Sequence, residues 1–393
     1  MGATGADVAP APVTALLFDA FGGGGVARTV VNLANHLAGR RDVELVSLFR
    51  GRREPRFDID PTVRLTVLHQ DDGPANGMHE VLARRPTLLR PRPAEPRMSL
   101  LTDLLLWRKL RALPAGILLT TRPSLHLAAA RFAPREQVVV GQDHSNFVTR
   151  FANPAQASVL DWTIPRLDAF TVLTEADVVD YGQRFPDATT VVRFVPNALS
   201  WQVSTEPARL DTKIVVTAGR LDDAKGHARM VRAYAAVAAR HPDWQLHIYG
   251  SGPARDAIQA LVTELGLEEQ VRLLGYTHDL RAVLTQASVF ALSSHAEGFS
   301  MVLTEAMSVG VPPVAMDCPR GPREIVRDGD NGRLVPDGDG PRFTEALLSL
   351  IEDPELRRKM GARAHEDARA YEMERVGAQW ERLFAEVTSR RHG

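Results

Sequence analysis

The chain has 393 residues, with 47 Lys and Arg against 48 Asp and Glu, a formal net charge of −1. That balance argues against a nucleic-acid or membrane-coating role carried by bulk electrostatics, and the length predicts two domains of roughly 150–200 residues each. The lone Cys318 excludes an intramolecular disulfide and no apolar run reaches the ~20 residues of a spanning helix, so the expectation is a cytoplasmic protein whose membrane association, if it has any, is peripheral and at the inner face.

The first dozen residues lack both a basic region and a long apolar one, so no secretory signal is read; rich in Ala, Pro and Gly, they are expected to be disordered. VTALLFDA then has strand character, FGGGG follows, and VARTVVNLANHLAGR places Val26, Val30, Leu33 and Leu37 at helical spacing with Gly39 as a stop. The alternation continues with DVELVSLF, GILLTT, EQVVVGQ, AFTVLT and TVVRFVP as strands. Residues 71–98 carry five prolines and little periodicity, which predicts a mobile surface excursion of the kind that often belongs to an acceptor site.

Past VPNALSWQVSTEPARLDT the pattern restarts with KIVVTAGR, WQLHIYG, VRLLG, SVFALSS and VPPVAM. The last segment, MERVGAQWERLFAEV, puts Val376, Trp380, Leu383, Phe384 and Val387 on one helical face. Strands alternating with helices mean parallel sheets covered on both faces. The expected architecture is α/β: a doubly wound domain over 12–200, a second over 211–372 and a closing helix over 373–390 that packs back toward the first.

In such sheets ligands sit beyond the carboxyl ends of the strands. Gly22–Gly25 stand there after the first strand, and four glycines exceed what a tight turn needs, so backbone N–H groups can approach a phosphate or sugar. Arg28 replaces the last glycine of G-x-G-x-x-G and LFRGRREP offers no ribose-binding acid, which argues against a dinucleotide site. Gln142, Asp143, His144, Ser145 and Asn146 form a dense polar run after another strand; a solvated loop is the bland alternative. In VVTAGRLDDAKGH, Arg220 and Lys225 flank a loop suited to a diphosphate, and Lys225 is one of only four lysines.

HAEGFSMVLTEAMSVG reads as a crossing loop with Glu297, an N-cap at Ser300, a helix over about Met301–Val309 and a stop at Gly310. That helix has almost no polar face, so an ionised Glu305 inside it must be paired or bind something. Side chains tilt toward the helix N-terminus, which lets Glu305 lean back toward Glu297.

These spacings together resemble a retaining GT-B glycosyltransferase of family 4. The motifs that carry the resemblance are EGFSMVLTE, which matches the E-x7-E pattern, then GRLDDAKG and IYGSGP. The resemblance implies two Rossmann-like domains with a cleft between them and a crossing C-terminal helix. It implies that Arg220 and Lys225 bind the diphosphate of a nucleotide sugar, UDP-linked by preference, that Glu305 holds the ribose and that Glu297 reads the transferred sugar. Backbone amides of Gly298, Phe299 and Ser300, with Met301, complete the donor contacts. Gly250, Ser251 and Gly252 shape the nucleotide pocket, His144 faces the donor sugar, and Gly24 and Gly25 lie near the diphosphate and acceptor.

DCPRGPREIV, with Pro319, Gly321 and Glu324, resembles a subgroup that glycosylates cell-envelope polymers. The acceptor implied is a hydroxyl of a glycopolymer or glycolipid, with a small natural product such as an aminocyclitol as the alternative. No metal, cofactor or nucleic-acid partner is implied; DID at Asp58–Asp60 is read as a surface turn. Oligomeric state is left open. A GT-B epimerase, a phosphorylase and a non-catalytic binding protein remain the rivals.

Overall fold

The computed structural model describes residues 10–70, 77–91 and 95–392. Of the termini and loops expected to be irregular, 1–9, 71–76 and 92–94 lie outside the described residues. The chain divides into two compact units, one comprising the residues up to Ser200 and those from Met373 onward, the other Trp201–Glu372.

The first unit holds β1 (Val13–Asp19), β2 (Val43–Arg50), β3 (Arg64–Gln70), β4 (Gly116–Thr120), β5 (Gln137–Gln142), β6 (Ala169–Val172) and β7 (Val191–Phe194). They form one sheet in the order β3-β2-β1-β4-β5-β6-β7, every pairing parallel. The order reverses between β1 and β4, the switch point at which doubly wound sheets bind ligands. All six residues of β5 and all four of β6 are buried. Burial on both faces is why these strands read as continuous apolar runs in the sequence.

Pleating sends neighbouring residues to opposite faces, so Leu16 enters one core and Leu17 the other. Against the Leu17 face lie helices Gly25–Ala38 and Met373–His392; the latter inserts Val376, Trp380, Leu383, Phe384 and Val387. Burying a side chain of this size stabilises by roughly 1.5–3 kcal/mol. On the opposite face helices Leu100–Arg111, Pro123–Phe132 and Pro154–Thr163 cover the sheet.

The second unit holds β8 (Ile214–Ala218), β9 (Gln245–Tyr249), β10 (Val271–Gly275), β11 (Val289–Leu292), β12 (Pro313–Asp317) and β13 (Arg333–Pro336). Their order is β10-β9-β8-β11-β12-β13, again parallel throughout, with the switch between β8 and β11.

Two strands escape the sequence reading, β3 and β13. Segment 71–98 also needs correction. Its described part contains a helix, Gly77–Arg84, and is tied down at Thr87 and Leu88, which donate to the Asp103 carboxylate at 2.6–2.9 Å. Asp103 sits in the first turn of helix Leu100–Arg111, where a carboxylate suits the helix end. At Asp60 the carboxylate takes the Thr62 N–H at 2.8 Å, which makes that stretch a turn.

Candidate functional site

The candidate residues fall into two sets, one in each unit. Gly24, Gly25 and His144 belong to the first; Arg220, Lys225, Gly250–Gly252, Glu297–Met301 and Glu305 belong to the second.

In the second unit three loops at the carboxyl ends of β8, β9 and β11 are laced together by main-chain hydrogen bonds. Leu221 N–H donates to Ser251 O at 3.0 Å and Ala254 N–H to Leu221 O at 2.9 Å. His295 N–H donates to Ala224 O at 2.8 Å. The loop after β12 joins them: Glu297 N–H donates to Pro319 O at 2.9 Å, and Arg320 N–H returns to Glu297 O at 2.8 Å.

Glycine is required where these backbones meet. Gly250 has φ +146°, and a Cβ there would lie 1.8 Å from Gly219 O; Gly226 has φ +63°, with Ser293 O 1.9 Å from the same position. The glycines of YGS and KG therefore place Arg220 and Lys225 by allowing close approach, whatever contact they also make with a ligand.

Lys225 Nζ donates to both Glu297 carboxylate oxygens, at 2.7 and 2.9 Å, and Ser294 Oγ donates to one of them at 2.6 Å. Glu297 is only 8 % exposed, so the sequence alternative of a solvated Glu297 is set aside. Asp222 accepts the Lys225 N–H and pairs with the largely exposed Arg220 guanidinium. Arg229 braces the same loop from beneath, donating to the carbonyls of Ser293 and Ser294 and pairing with Asp337 at 2.8 Å. Sequence reasoning missed Asp222, Arg229 and Ser294. For Asp222 a signal was present, an acid three residues before Lys225 where a short helical turn needs a cap.

Helix Met301–Ser308 ends as expected: Gly310 adopts φ +78°, and Gly310 and Val311 N–H groups close back onto Met307 and Ala306. Its start differs from the expectation. Ser300 holds the N-cap position in the left-handed region, φ 75° and ψ 64°, and its side chain makes no capping bond. Capping needs an extended backbone that aims the oxygen at the next turn's amides. Ser300 instead stores strain of order 1–3 kcal/mol and buries a hydroxyl with no hydrogen-bond partner among the described residues. Phe299 packs its ring on Tyr371, centroids 5.5 Å apart, which leaves its main chain to serve the loop. Glu305 lies one turn in, 1 % exposed. Burial, then the Glu297 charge, pushes Cys318 up to about 12, so no thiolate nucleophile stands beside this loop.

In the first unit Gly24 caps helix Gly25–Ala38 at φ −84°, and a Cβ there would meet nothing within 4 Å. Neither backbone conformation nor packing calls for glycine at this position, which leaves room for a ligand's approach. His144, half-buried after β5, is held down to about 4, by burial first, with Arg150 and Arg122 adding to the effect against the Asp143 charge. It is neutral near pH 7 and offers a hydrogen bond rather than a charge. Asp143 beside it is committed: Arg150 donates at 2.7 and 2.9 Å and Tyr181 Oη at 2.9 Å. Burial pushes that carboxyl up, but Arg150 and the other hydrogen bonds prevail and hold it below the ordinary range.

Two family models match the chain, one described as Glycosyltransferase Family 4 over residues 23–200, the other as Glycosyl transferases group 1 over residues 203–367. An exopolysaccharide phosphotransferase of Streptomyces coelicolor is 32% identical over 380 residues, 94% of this chain; the chain spans 40% of that relative's length. An N-acetylgalactosamine-N,N'-diacetylbacillosaminyl-diphospho-undecaprenol 4-alpha-N-acetylgalactosaminyltransferase of Campylobacter jejuni is 29% identical over 264 residues, 65% of this chain and 72% of its own. Among solved structures, an S. aureus TarM mutant in complex with Fondaparinux, alpha-GlcNAc-glycerol and UDP matches with a TM-score of 0.77 at 16% identity, covering 95% of this chain and 99% of that one. That likeness shows the fold, two Rossmann-like units of the GT-B kind.

Proposed function

The chain belongs to the family 4 glycosyltransferases, and on that premise we propose that it moves a hexosyl or related sugar from a UDP-sugar to a hydroxyl of a cell-envelope glycopolymer or glycolipid, with retention at the anomeric carbon. The observation that carries the reading is the Lys225–Glu297 pair held at the β8–β11 switch point by the laced loops. An ammonium has three donors and Glu297 takes two, so one is left for a phosphate oxygen of the donor. Arg220 and Lys225 then stabilise the charge that grows on the departing diphosphate, in a site already organised before the donor arrives. Glu305 binds the ribose hydroxyls and Glu297 the sugar.

Retention in two-carboxylate glycosidases runs through a side-chain nucleophile. The reading here is a front-face route in which the departing phosphate takes the acceptor proton, neutral His144 donates a hydrogen bond to the donor sugar, and neither a metal nor a resident cofactor takes part. The test is a panel of UDP-sugars, assayed for UDP release, then acceptor trials that include an aminocyclitol, with the product anomer read by NMR. An inverted product, or activity abolished by EDTA, would overturn the corresponding part of the reading.

Peripheral membrane contact is part of the same proposal. Among the described residues no helix is long and apolar enough to cross a membrane. Helices Gly77–Arg84 and Leu100–Arg111 are neighbours that expose Met78, Val81, Leu104 and Trp107 beside Arg108 and Arg111, a pattern suited to an anionic bilayer surface. Equal sedimentation of a Trp107→Glu variant and the parent with phosphatidylglycerol vesicles would rule that surface out.

A further inference from the structure

Arg229 stands four residues beyond Lys225, in the first turn of helix His227–Arg240, with a side chain only 16 % exposed. All three of its guanidinium nitrogens are engaged: Nε donates to the Ser293 carbonyl, one terminal nitrogen to the Ser294 carbonyl, and the other to Asp337 Oδ1 at 2.8 Å. An extended chain turns successive carbonyls to opposite sides. Just after β11, Ser293 and Ser294 both turn theirs to one guanidinium, which fixes a bend in the loop. Three hydrogen bonds depend on that bend. Ser293 Oγ donates to Gly226 O at 2.9 Å, His295 N–H to Ala224 O at 2.8 Å, and Ser294 Oγ to Glu297 Oε1 at 2.6 Å. Ser294 is fully buried, so water cannot take over the bond its hydroxyl gives.

Lys225 and Ser294 hold Glu297 in different ways. An ammonium is a point charge whose donors rotate, so Lys225 can follow the carboxylate through a turn and keep both oxygens. Ser294 meets one oxygen from one direction and adds orientation. Asp337 has a separate task. Burial first, then Glu297 and Asp337, push the Cys318 thiol up to about 12, while Arg229 and Lys225 pull the other way, so all four charges lie within electrostatic range of one sulfur. Arg229 is thus near enough to compete with Lys225 for Glu297, and Asp337 cancels the charge with which it would do so.

We propose that Arg229, with Asp337 as its anchor, is a positioning residue of the transfer reaction: by fixing the bend at Ser293 and Ser294 it aims the Ser294 hydroxyl at Glu297 and so sets which donor sugar the site accepts. The inference rests on the glycosyltransferase reading, in which the first unit receives the acceptor and Glu297 reads the donor sugar. A plain structural brace would serve nucleotide and sugar equally; Arg229 acts on the sugar.

The experiment compares UDP with UDP-sugars on the full chain. UDP affinity is measured by calorimetry, and selectivity as the ratio of kcat/KM for the best donor of the UDP-sugar panel to that for its weakest accepted competitor. Arg229→Ala should lower this ratio at least about fivefold, the worth of one hydrogen bond, with UDP affinity unchanged. Ser294→Ala should give the same loss, and the two together no more than either alone. Asp337→Asn should give a smaller loss in the same direction. Selectivity that survives Arg229→Ala or Ser294→Ala overturns the proposal, and so does a fall in UDP affinity as large as the fall in selectivity. Where Arg229→Ala does not fold, Arg229→Lys decides: lysine keeps the charge against Asp337 but has no fork for two carbonyls, so selectivity should fall in a folded chain, and unchanged selectivity overturns the proposal. A parent chain that releases UDP from no sugar donor would overturn the glycosyltransferase reading and the proposal with it, an outcome told apart by its appearance before any substitution.

Discussion

The carboxyl ends of the two sheets solve different problems with different parts of the chain. Beyond β8 and β11 the main chain does the holding, through Leu221 with Ser251, His295 with Ala224, and Glu297 with Pro319 and Arg320. Beyond β1, β2, β4 and β5 the holding is done by side chains, with arginines on phenylalanine rings and Asp143 in a buried network. A diphosphate and the charge developing on it have one geometry, which rigid amides and a fixed cation serve best. On the reading proposed above the first unit receives the acceptor, which is one partner among many, and side chains can be exchanged without rebuilding the loops beneath them.

The largest expected effect tests the first half of this contrast. Lys225→Ala removes the cation from the loop and leaves Glu297, 8 % exposed, without it. Transfer should fall by at least ~3 kcal/mol in kcat/KM, on the order of a hundredfold, the scale of losing one oxyanion donor. Comparison with Glu297→Gln and the double variant in a cycle should show strong coupling, because each charge orients the other. Additive losses would mean that the pair seen here is not the working arrangement.

A second pair of substitutions separates backbone need from ligand need. Gly250→Ala would force a Cβ within 1.8 Å of Gly219 O and is expected to cost roughly 1–3 kcal/mol, read as a fall in Tm of several degrees. Gly24→Ala meets nothing within 4 Å and should leave stability within about 0.5 kcal/mol. Its effect should appear in kcat/KM instead. A Gly24→Ala variant that melts early, or a Gly250→Ala variant that does not, would erase the distinction between the two ends.

The same contrast explains what could be read from the chain in advance. The loops of the second unit were legible because main-chain packing dictates glycines and charges at fixed spacing, as in GRLDDAKG and EGFSMVLTE. Both sheets were legible where strands are buried on two faces. The strand β3, RLTVLHQ, was not, since an edge position leaves Arg64, Thr66 and His69 in the pattern and no apolar run stands out. β13, RLVP, opens on Arg333, ends in Pro336 and buries only Val335, so no apolar run marks it. Helix Gly77–Arg84 buries no residue, so no core imposed a period on it. Arg229 was invisible for another reason: in a chain that uses arginine for nearly all its positive charge, only the carbonyls it meets set it apart. Ser300 looked like an ordinary cap because residue type reports preference, and its left-handed backbone is a property of the surrounding loops.

The most diffuse expected effect is a difference in acid sensitivity between the units. Burial holds His126 down to about 3 and His144 to about 4 in the first unit, and His227 to about 4 in the second. Each stays neutral in the fold while the unfolded chain takes up its proton near the ordinary value of about 6.5. Stability contributed by such a group is complete above that value and is lost as pH falls toward 4, at a limiting slope of about 1.4 kcal/mol per pH unit for each histidine. Asp143 adds nothing in this window: its carboxyl lies below the ordinary range, so its contribution survives until pH drops under about 3.9. Hydrogen exchange at pH 7 and pH 5, corrected for intrinsic rate, should therefore show a larger loss of protection in residues 10–200 than in 201–372. His227→Gln should reduce the dependence in the second unit alone, leaving the part due to His247, which burial also holds down. Equal losses in the two units, or a His227→Gln chain as acid-sensitive as its parent, would mean that these histidines carry protons in the fold and that the role proposed for a neutral His144 fails.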